Sequence, residues 1–213
     1  MLVVAKDVSK SFMGVKVLDK VNLSIHKGDR IAMMGANGAG KTTIIRALLG
    51  FYHIDSGEIR VNGFDPITHR VDVLNSVSFI PQLPPPVKLS IEELLSFVVK
   101  SSNISKEKIF KESNRMDLDL KNHLKKPFFK LSGGMKQKLL IAIALSKKSN
   151  LLIFDEPTAN LDPKGRDKFY ELLTEIDLEC STLFITHRLD EIEDLVNRKI
   201  YMDLGKVVED EKI

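Results

Sequence analysis

The apolar positions change rhythm along the chain. Up to about residue 80 they recur mostly at alternate positions or in short runs. Val15 to Ile25 alternates, Arg30 to Met34 is a short apolar run, and Gly57 to Gly63 reads as a strand ending at an Asn-Gly turn. A helix from Thr42 to Leu49, ended by Gly50, interrupts these strands, and Val77 to Ile80 is predicted as another buried strand. From Leu83 to Lys130 the texture turns helical. Pro84, Pro85 and Pro86 favour an extended segment, and Ser90-Ile91-Glu92-Glu93 has the spacing of a capping box opening a helix to about Lys100. Further helical stretches fall near Lys106 to Arg115 and Leu120 to Lys125. After Lys130 helix and strand alternate. Ser132 caps a helix to about Lys147, Leu151 to Phe154 is a strand, and Asp162-Pro163 starts a helix reaching about Glu179. Thr182 to Thr186 is then a strand, Asp190 to Val196 a helix, and Ile200 to Val208 a hairpin turning at Gly205. This alternation predicts an α/β fold, with a mainly parallel sheet covered by helices on both faces.

Composition narrows the classes. A chain of 213 residues that is 43% hydrophobic can bury a real core, and its 29% charged residues are balanced in sign, which excludes disorder. Thirty-two basic against 29 acidic residues leave a net charge of +3, a weak attraction for nucleic acid. No uncharged apolar run approaches the roughly 18 to 20 residues that span a bilayer. The start, Met1 to Asp7, lacks the basic segment and apolar stretch of a signal peptide. The single cysteine, Cys180, offers neither an internal disulfide nor a metal-binding spacing. The expectation is a soluble protein of a reducing compartment. Residues 83–130 carry ten basic and six acidic side chains and read as a solvated helical insert.

Only 12 glycines are present, yet five fall in two clusters, Gly35, Gly38 and Gly40, then Gly133 and Gly134. The first lies in Gly35-Ala36-Asn37-Gly38-Ala39-Gly40-Lys41-Thr42, which satisfies G-x-x-x-x-G-K-[ST] between a predicted strand and a predicted helix. Bare backbone there lets N–H groups converge on phosphate oxygens, the helix N-terminus favours an anion, and Lys41 adds a full charge. The Thr42 hydroxyl is placed to ligate Mg2+. Leu151 to Glu156 is an apolar strand ending in two carboxylates, where a parallel sheet gathers its ligands. Asp155 can hold Mg2+, largely through water, and Glu156 is left to orient or deprotonate an attacking water. The second cluster, Leu131-Ser132-Gly133-Gly134-Met135, is either a cap and a turn or another anion-binding helix start. One nucleotide does not need two such termini in one subunit, so a nucleotide shared between two molecules reconciles them.

Taken in order, these segments make the sequence resemble the ATP-binding cassette (ABC) family over nearly the whole chain. They are the phosphate loop 35–42, Gln82 ending a strand, Leu131-Ser132-Gly133-Gly134, the strand 151–156, Thr158-Ala159-Asn160-Leu161-Asp162, and His187 after Thr186. The resemblance implies a P-loop NTPase fold in a single cassette spanning 1–213, with an N-terminal antiparallel β subdomain and a helical subdomain at about 83–130. It implies ATP and Mg2+ as cofactors and a homodimer, or pairing with a related ATP-binding subunit, that clamps two ATP molecules head to tail. Gly35, Asn37, Gly38, Ala39, Gly40, Lys41, Thr42 and Thr43 would hold the phosphates of one chain's ATP, and Ser132, Gly133 and Gly134 would close on the partner's. Phe12 would stack on adenine, with core packing the plain alternative. Thr42, Gln82 and Asp155 would serve the metal, and Glu156, His187, Lys41 and Gln82 the hydrolysis. Asp162 would help couple the two sites.

Two positions depart from the family's usual pattern. Met135 stands where Gln is common, which resembles exporters of the ABC-2 type, including the group serving nitrous-oxide-reductase maturation. Lys138 stands where Arg is common and keeps the charge without the planar fork. The implied role is an ATPase subunit of an exporter, peripheral on the cytoplasmic face of a membrane, with separate integral membrane subunits and no nucleic acid. A soluble ABC ATPase acting on a nucleoprotein is the alternative. Ribosome-acting members generally carry two cassettes and DNA-repair members insert coiled coils, whereas this sequence has one cassette and no heptad tract. A non-catalytic nucleotide sensor is disfavoured by the presence of both Glu156 and His187, and a P-loop kinase or GTPase leaves Ser132 to Gly134 unexplained.

Overall fold

The structure, a computed structural model, describes residues 1–102 and 104–213. Its elements in chain order begin with β1 (Val3–Phe12), β2 (Val15–Ile25), β3 (Arg30–Met34), α1 (Lys41–Leu48), β4 (Ser56–Val61), α2 (Arg70–Ser76) and β5 (Val77–Ile80). There follow α3 (Ile91–Ser102), α4 (Lys106–Arg115), α5 (Gly133–Ser146), β6 (Leu151–Asp155), α6 (Pro163–Thr174), β7 (Ser181–Ile185), β8 (Arg198–Asp203) and β9 (Lys206–Lys212). The chain divides into two compact units. One comprises Met1–Ser78, Ser149–Asp155 and Asp177–Ile213, and the other Phe79–Lys148 and Glu156–Ile176.

The first unit is built on sheets. β1 and β2 form a hairpin through Met13 and Gly14, whose φ angles of 48° and 80° suit a two-residue turn that continues the twist of the strands. With β4 they make an antiparallel sheet of order β2-β1-β4. The larger sheet has the order β5-β6-β7-β3-β8-β9. Its β6/β7, β7/β3 and β3/β8 pairs are parallel, and β8/β9 is an antiparallel hairpin. β3 lies in the middle, and Ile31, Ala32 and Met33 are wholly buried, as the short apolar run requires. On neighbouring strands Phe154 and Phe184 stack with ring centroids 4.7 Å apart.

The second unit is helical. Its core joins Leu95, Ile109, Leu120, Phe128 and Leu139, all wholly buried. Each such side chain contributes about 1.5–3 kcal/mol by leaving water. The capping box at Ser90 forms as read, because Glu93 accepts from the Ser90 N–H and the Ser90 hydroxyl accepts from the Glu93 N–H. Ser132 caps α5 by accepting from the Met135 N–H at 3.2 Å. Asp117, exposed on this unit, pairs with Lys164 at 3.0 Å and Lys168 at 2.6 Å, and these two ammonium groups hold its carboxyl down at about 2.

Four segments differ from the expectation. Residues 190–196 are two short 3-10 turns, Leu189–Glu191 and Glu193–Leu195, because Asp190, Glu193 and Asp194 would place like charges three and four apart on a continuous helix. The stretch from Leu120 is a single 3-10 turn to His123, opened by the Asp119 carboxylate, which accepts from the Lys121 N–H. α6 stops at Thr174 rather than near Glu179, and a turn at Asp177, whose carboxylate accepts from the Glu179 N–H, leads into β7. α2 is an addition. It is seven residues long, rich in valine and buries only Val73, so no helical periodicity betrays it.

Candidate functional site

Three neighbouring parallel strands of the first unit end at one level. Met33 of β3 pairs with Ile185 of β7, and Ile185 pairs with Asp155 of β6. The phosphate loop therefore leaves the sheet beside the Thr186-His187 segment and one strand away from Asp155, at the carboxyl edge where ligands of parallel sheets gather. Gly35 turns the chain out of β3 at φ 138°, and a Cβ there would lie 2.1 Å from the Met202 carbonyl oxygen, so only glycine fits. The turn Ala36, Asn37 and Gly38 is exposed, whereas Ala39 and Gly40 are buried. Gly40 stands at the N-cap of α1 and offers no capping side chain, so the first-turn N–H groups face the mouth of the loop. Thr43 lies in that first turn.

Lys41 is 7% exposed, and its ammonium folds into the loop, donating to the Gly35 carbonyl at 2.7 Å and the Ala36 carbonyl at 2.9 Å. A fixed positive charge thus lies within the glycine loop at the start of α1, an arrangement that fits polyphosphate. The Thr42 hydroxyl donates to the Asp155 carboxylate at 3.3 Å. Burial pushes the Asp155 carboxyl up, opposed by the Thr42 hydrogen bond and by the charges of Arg46 and Lys41. Among the described residues no group of three or more His, Cys, Asp or Glu side chains gathers that could hold a metal. A hard cation fits Thr42 and Asp155 only with phosphate oxygens and waters completing its shell, which is how Mg2+ binds nucleotides.

A raised carboxyl pKa makes the folded chain hold its proton to higher pH than the unfolded chain does. The contribution of this one carboxyl to stability is then greatest at low pH and is lost as pH rises through the folded value. Its ionised form costs stability that a bound cation would offset. Asp155→Asn is expected to raise the melting temperature of the nucleotide-free protein by about 1–3 °C. It is also expected to remove most of the further rise that Mg2+ with ATP confers. Thermal melts with and without both ligands check this.

Glu156, the next residue, opens a turn with φ 47°, in the left-handed region. His187, after β7, is exposed. In the helical unit Gln82 is exposed, and its carbonyl accepts from the Asn160 side-chain amide at 3.1 Å. Asn160 also backs the second glycine cluster. A Cβ on Gly134 would lie 3.0 Å from the Asn160 carbonyl oxygen, and one on Gly133 would lie 3.6 Å from its side-chain oxygen. The motif 158–162 assigns Asn160 no role by itself, and in the folded unit this residue links Gln82 to the Gly133–Gly134 backbone. Lys138 reaches Asp162 at 3.7 Å, an ion pair without the short hydrogen bond that a guanidinium fork favours. Phe12 is 38% exposed at the end of β1, so it is a surface ring rather than a core one.

Residues 18–159 match the ABC transporter family. The chain is 32% identical over 206 residues to the energy-coupling factor transporter ATP-binding protein EcfA2 of Clostridium tetani, covering 92% of this chain and 72% of that protein. It is 33% identical over 218 residues to the galactose/methyl galactoside import ATP-binding protein MglA of Clostridium perfringens, covering 97% of this chain but 42% of that protein. The solved structure of an ATP binding subunit of an ABC transporter superposes with a TM-score of 0.89 at 26% identity, covering 100% of this chain and 90% of the other. These matches agree with the phosphate loop and the sheet order that carries it. The chain belongs to the ABC transporter family, as an ATP-binding domain that hydrolyses ATP with Mg2+ as its usual ion.

Proposed function

We propose that this chain is a single cassette, 1–213, and one half of a transport motor: two copies, or one copy and a related ATP-binding subunit, close head to tail on two Mg·ATP. The observation that carries the reading is the alignment of Asp155, bonded by Thr42, with the exit of β3 into a loop where Gly35 and Gly40 leave no room for a side chain and Lys41 is already inside. Gly35, Asn37, Gly38, Ala39, Gly40 and Thr43 cradle phosphates, and Phe12 stacks on adenine. Thr42, Asp155 and Gln82 serve Mg2+, which spreads the γ-phosphoryl charge when bound. Lys41 stabilises that charge, Glu156 takes the proton of the attacking water, and His187 supports Glu156 and the γ-phosphate. Ser132, Gly133 and Gly134 complete the partner's site. Steady phosphate release from Mg·ATP, lost in Glu156→Gln and Lys41→Ala, tests this assignment.

No helix among the described residues is long and apolar enough to cross a membrane. The reading places integral membrane subunits beside the chain, holding it on the cytoplasmic face. The helical unit exposes apolar side chains that such subunits would cover: Leu83 is 77% exposed, Phe97 62% and Phe129 47%, and Leu83 follows Gln82 directly. Replacing Leu83 and Leu89 by Ser is expected to abolish co-purification with a polytopic membrane subunit while leaving soluble ATPase activity within about two-fold. Unchanged co-purification overturns the docking assignment. We assign the direction of transport as export, of the ABC-2 type that includes nitrous-oxide-reductase maturation, on Met135. The relative named as an import protein favours the opposite direction. ATP-dependent uptake into inside-out vesicles carrying the complex supports export, and its absence there with uptake into right-side-out vesicles supports import.

A further inference from the structure

The way the Phe12 ring is mounted points to two residues that none of the motifs contains. α1 carries Lys41 and Thr42 at its start and Arg46 one turn later. It ends in a paired turn, with the Gly50 N–H donating to the Ala47 carbonyl and the Phe51 N–H donating to the Arg46 carbonyl. Gly50 takes φ 69°, and a Cβ there would lie 2.0 Å from the Pro66 carbonyl oxygen. This reversal brings Tyr52 back beside Arg46, whose guanidinium donates to the Tyr52 hydroxyl at 2.8 Å and lies 5.8 Å from the ring centroid. Tyr52 in turn meets Phe12 in a T-shaped pair, with centroids 5.1 Å apart and planes at 71°.

The same segment grips the strand that bears Phe12. The Asp55 N–H donates to the Ser9 carbonyl at 2.8 Å, and the Asp55 carboxylate accepts from the Ser11 N–H at 2.6 Å and from the Lys10 ammonium at 2.9 Å. So anchored, Lys10 stands over the Phe12 ring at 5.2 Å. An exposed phenylalanine at a hairpin end would otherwise rotate freely. Here a cation holds one face and a half-buried tyrosine meets it nearly at right angles, which fixes what remains for a flat base.

We propose that Tyr52, held by Arg46, is a positioning residue for nucleotide base recognition: it sets the Phe12 ring at a fixed orientation to the phosphate loop through the single helix α1. The proposal rests on the reading of Phe12 as the ring that stacks on adenine. It makes base affinity depend on a side chain that touches neither base nor phosphate.

Equilibrium binding of Mg·ATP and of magnesium tripolyphosphate, which has no base, separates the two readings. Tyr52→Ala is expected to weaken ATP about 3- to 10-fold and to leave tripolyphosphate unchanged. Tyr52→Phe keeps the ring but not the Arg46 bond, and is expected to weaken ATP about two- to three-fold. Equal losses for both ligands, or no loss for ATP in Tyr52→Ala while Phe12→Ala loses base preference, overturn the proposal and leave Phe12 in place. A Phe12→Ala chain with an unchanged ratio of the two affinities overturns both. Should Tyr52→Ala fail to fold, Tyr52→Phe and Arg46→Met decide. A wild-type ratio in both overturns the proposal, and a lowered ratio in both supports it.

Discussion

Glu156→Gln is expected to bind Mg·ATP as tightly as the wild type and to hydrolyse it about 10²–10⁴-fold more slowly, the usual loss when a positioned general base is removed. The amide is nearly isosteric with the carboxylate, so packing is undisturbed while proton acceptance is lost. Asp155 ends β6 in a regular pairing with Ile185, and Glu156 follows it directly where the chain turns out of the strand at φ 47°. Thermal melts of the variant are expected to match the wild type. Turnover at the wild-type rate would remove Glu156 from the chemistry.

Lys41→Ala is the second large effect, and it falls on binding. Removing the ammonium takes away the one full charge inside the loop and a charge-assisted bond to phosphate. The expected loss of ATP affinity is about 2–4 kcal/mol, roughly 30- to 1,000-fold. The substitution also leaves the Gly35 and Ala36 carbonyls without the donor they have in the folded chain, which costs roughly 1–2 kcal/mol of stability. The two losses separate experimentally. Lys41→Met restores much of the buried volume and part of the melting temperature but none of the affinity. Calorimetric titration of both variants with Mg·ATP checks this, and an affinity within three-fold of wild type would overturn the phosphate assignment.

Much of this site is legible in the sequence because its constraints are local. A loop that must present bare backbone needs glycine at fixed offsets from a strand, and β3, β5 and α4 fall where their periodicity and caps place them. The cap at Ser132 and the box at Ser90 also follow from side chains three residues apart. What escapes is longer in range or weaker in pattern. α2 is too short and too valine-rich to show a helical face. The pairing of β1 with β4, across more than forty residues, depends on a register that no local pattern encodes. Tyr52 reads as a loop residue until the turn at Gly50 sets it against Arg46 and Phe12. Asn160 likewise gains its meaning from Gln82 and the Gly133–Gly134 backbone meeting it in space.

The central claim is that the two glycine clusters are halves of one site completed by two chains, and Gly133 tests it directly. Gly133 is the first residue of α5, a Cβ added there makes only an ordinary contact with Asn160 at 3.6 Å, and a carboxylate in a first helical turn is favourable. Gly133→Asp therefore leaves the fold and the chain's own phosphate loop intact while placing a negative charge where the partner's γ-phosphate would lie. The measurement is sedimentation equilibrium in saturating Mg·ATP, with Glu156→Gln as the background that holds the nucleotide. The expected result is twice the 24.0 kDa chain mass for Glu156→Gln and a single chain for Glu156→Gln with Gly133→Asp, each chain binding one ATP in both cases. A doubled mass that Gly133→Asp leaves unchanged would contradict the account, as would a single chain saturated with ATP in the Glu156→Gln background alone.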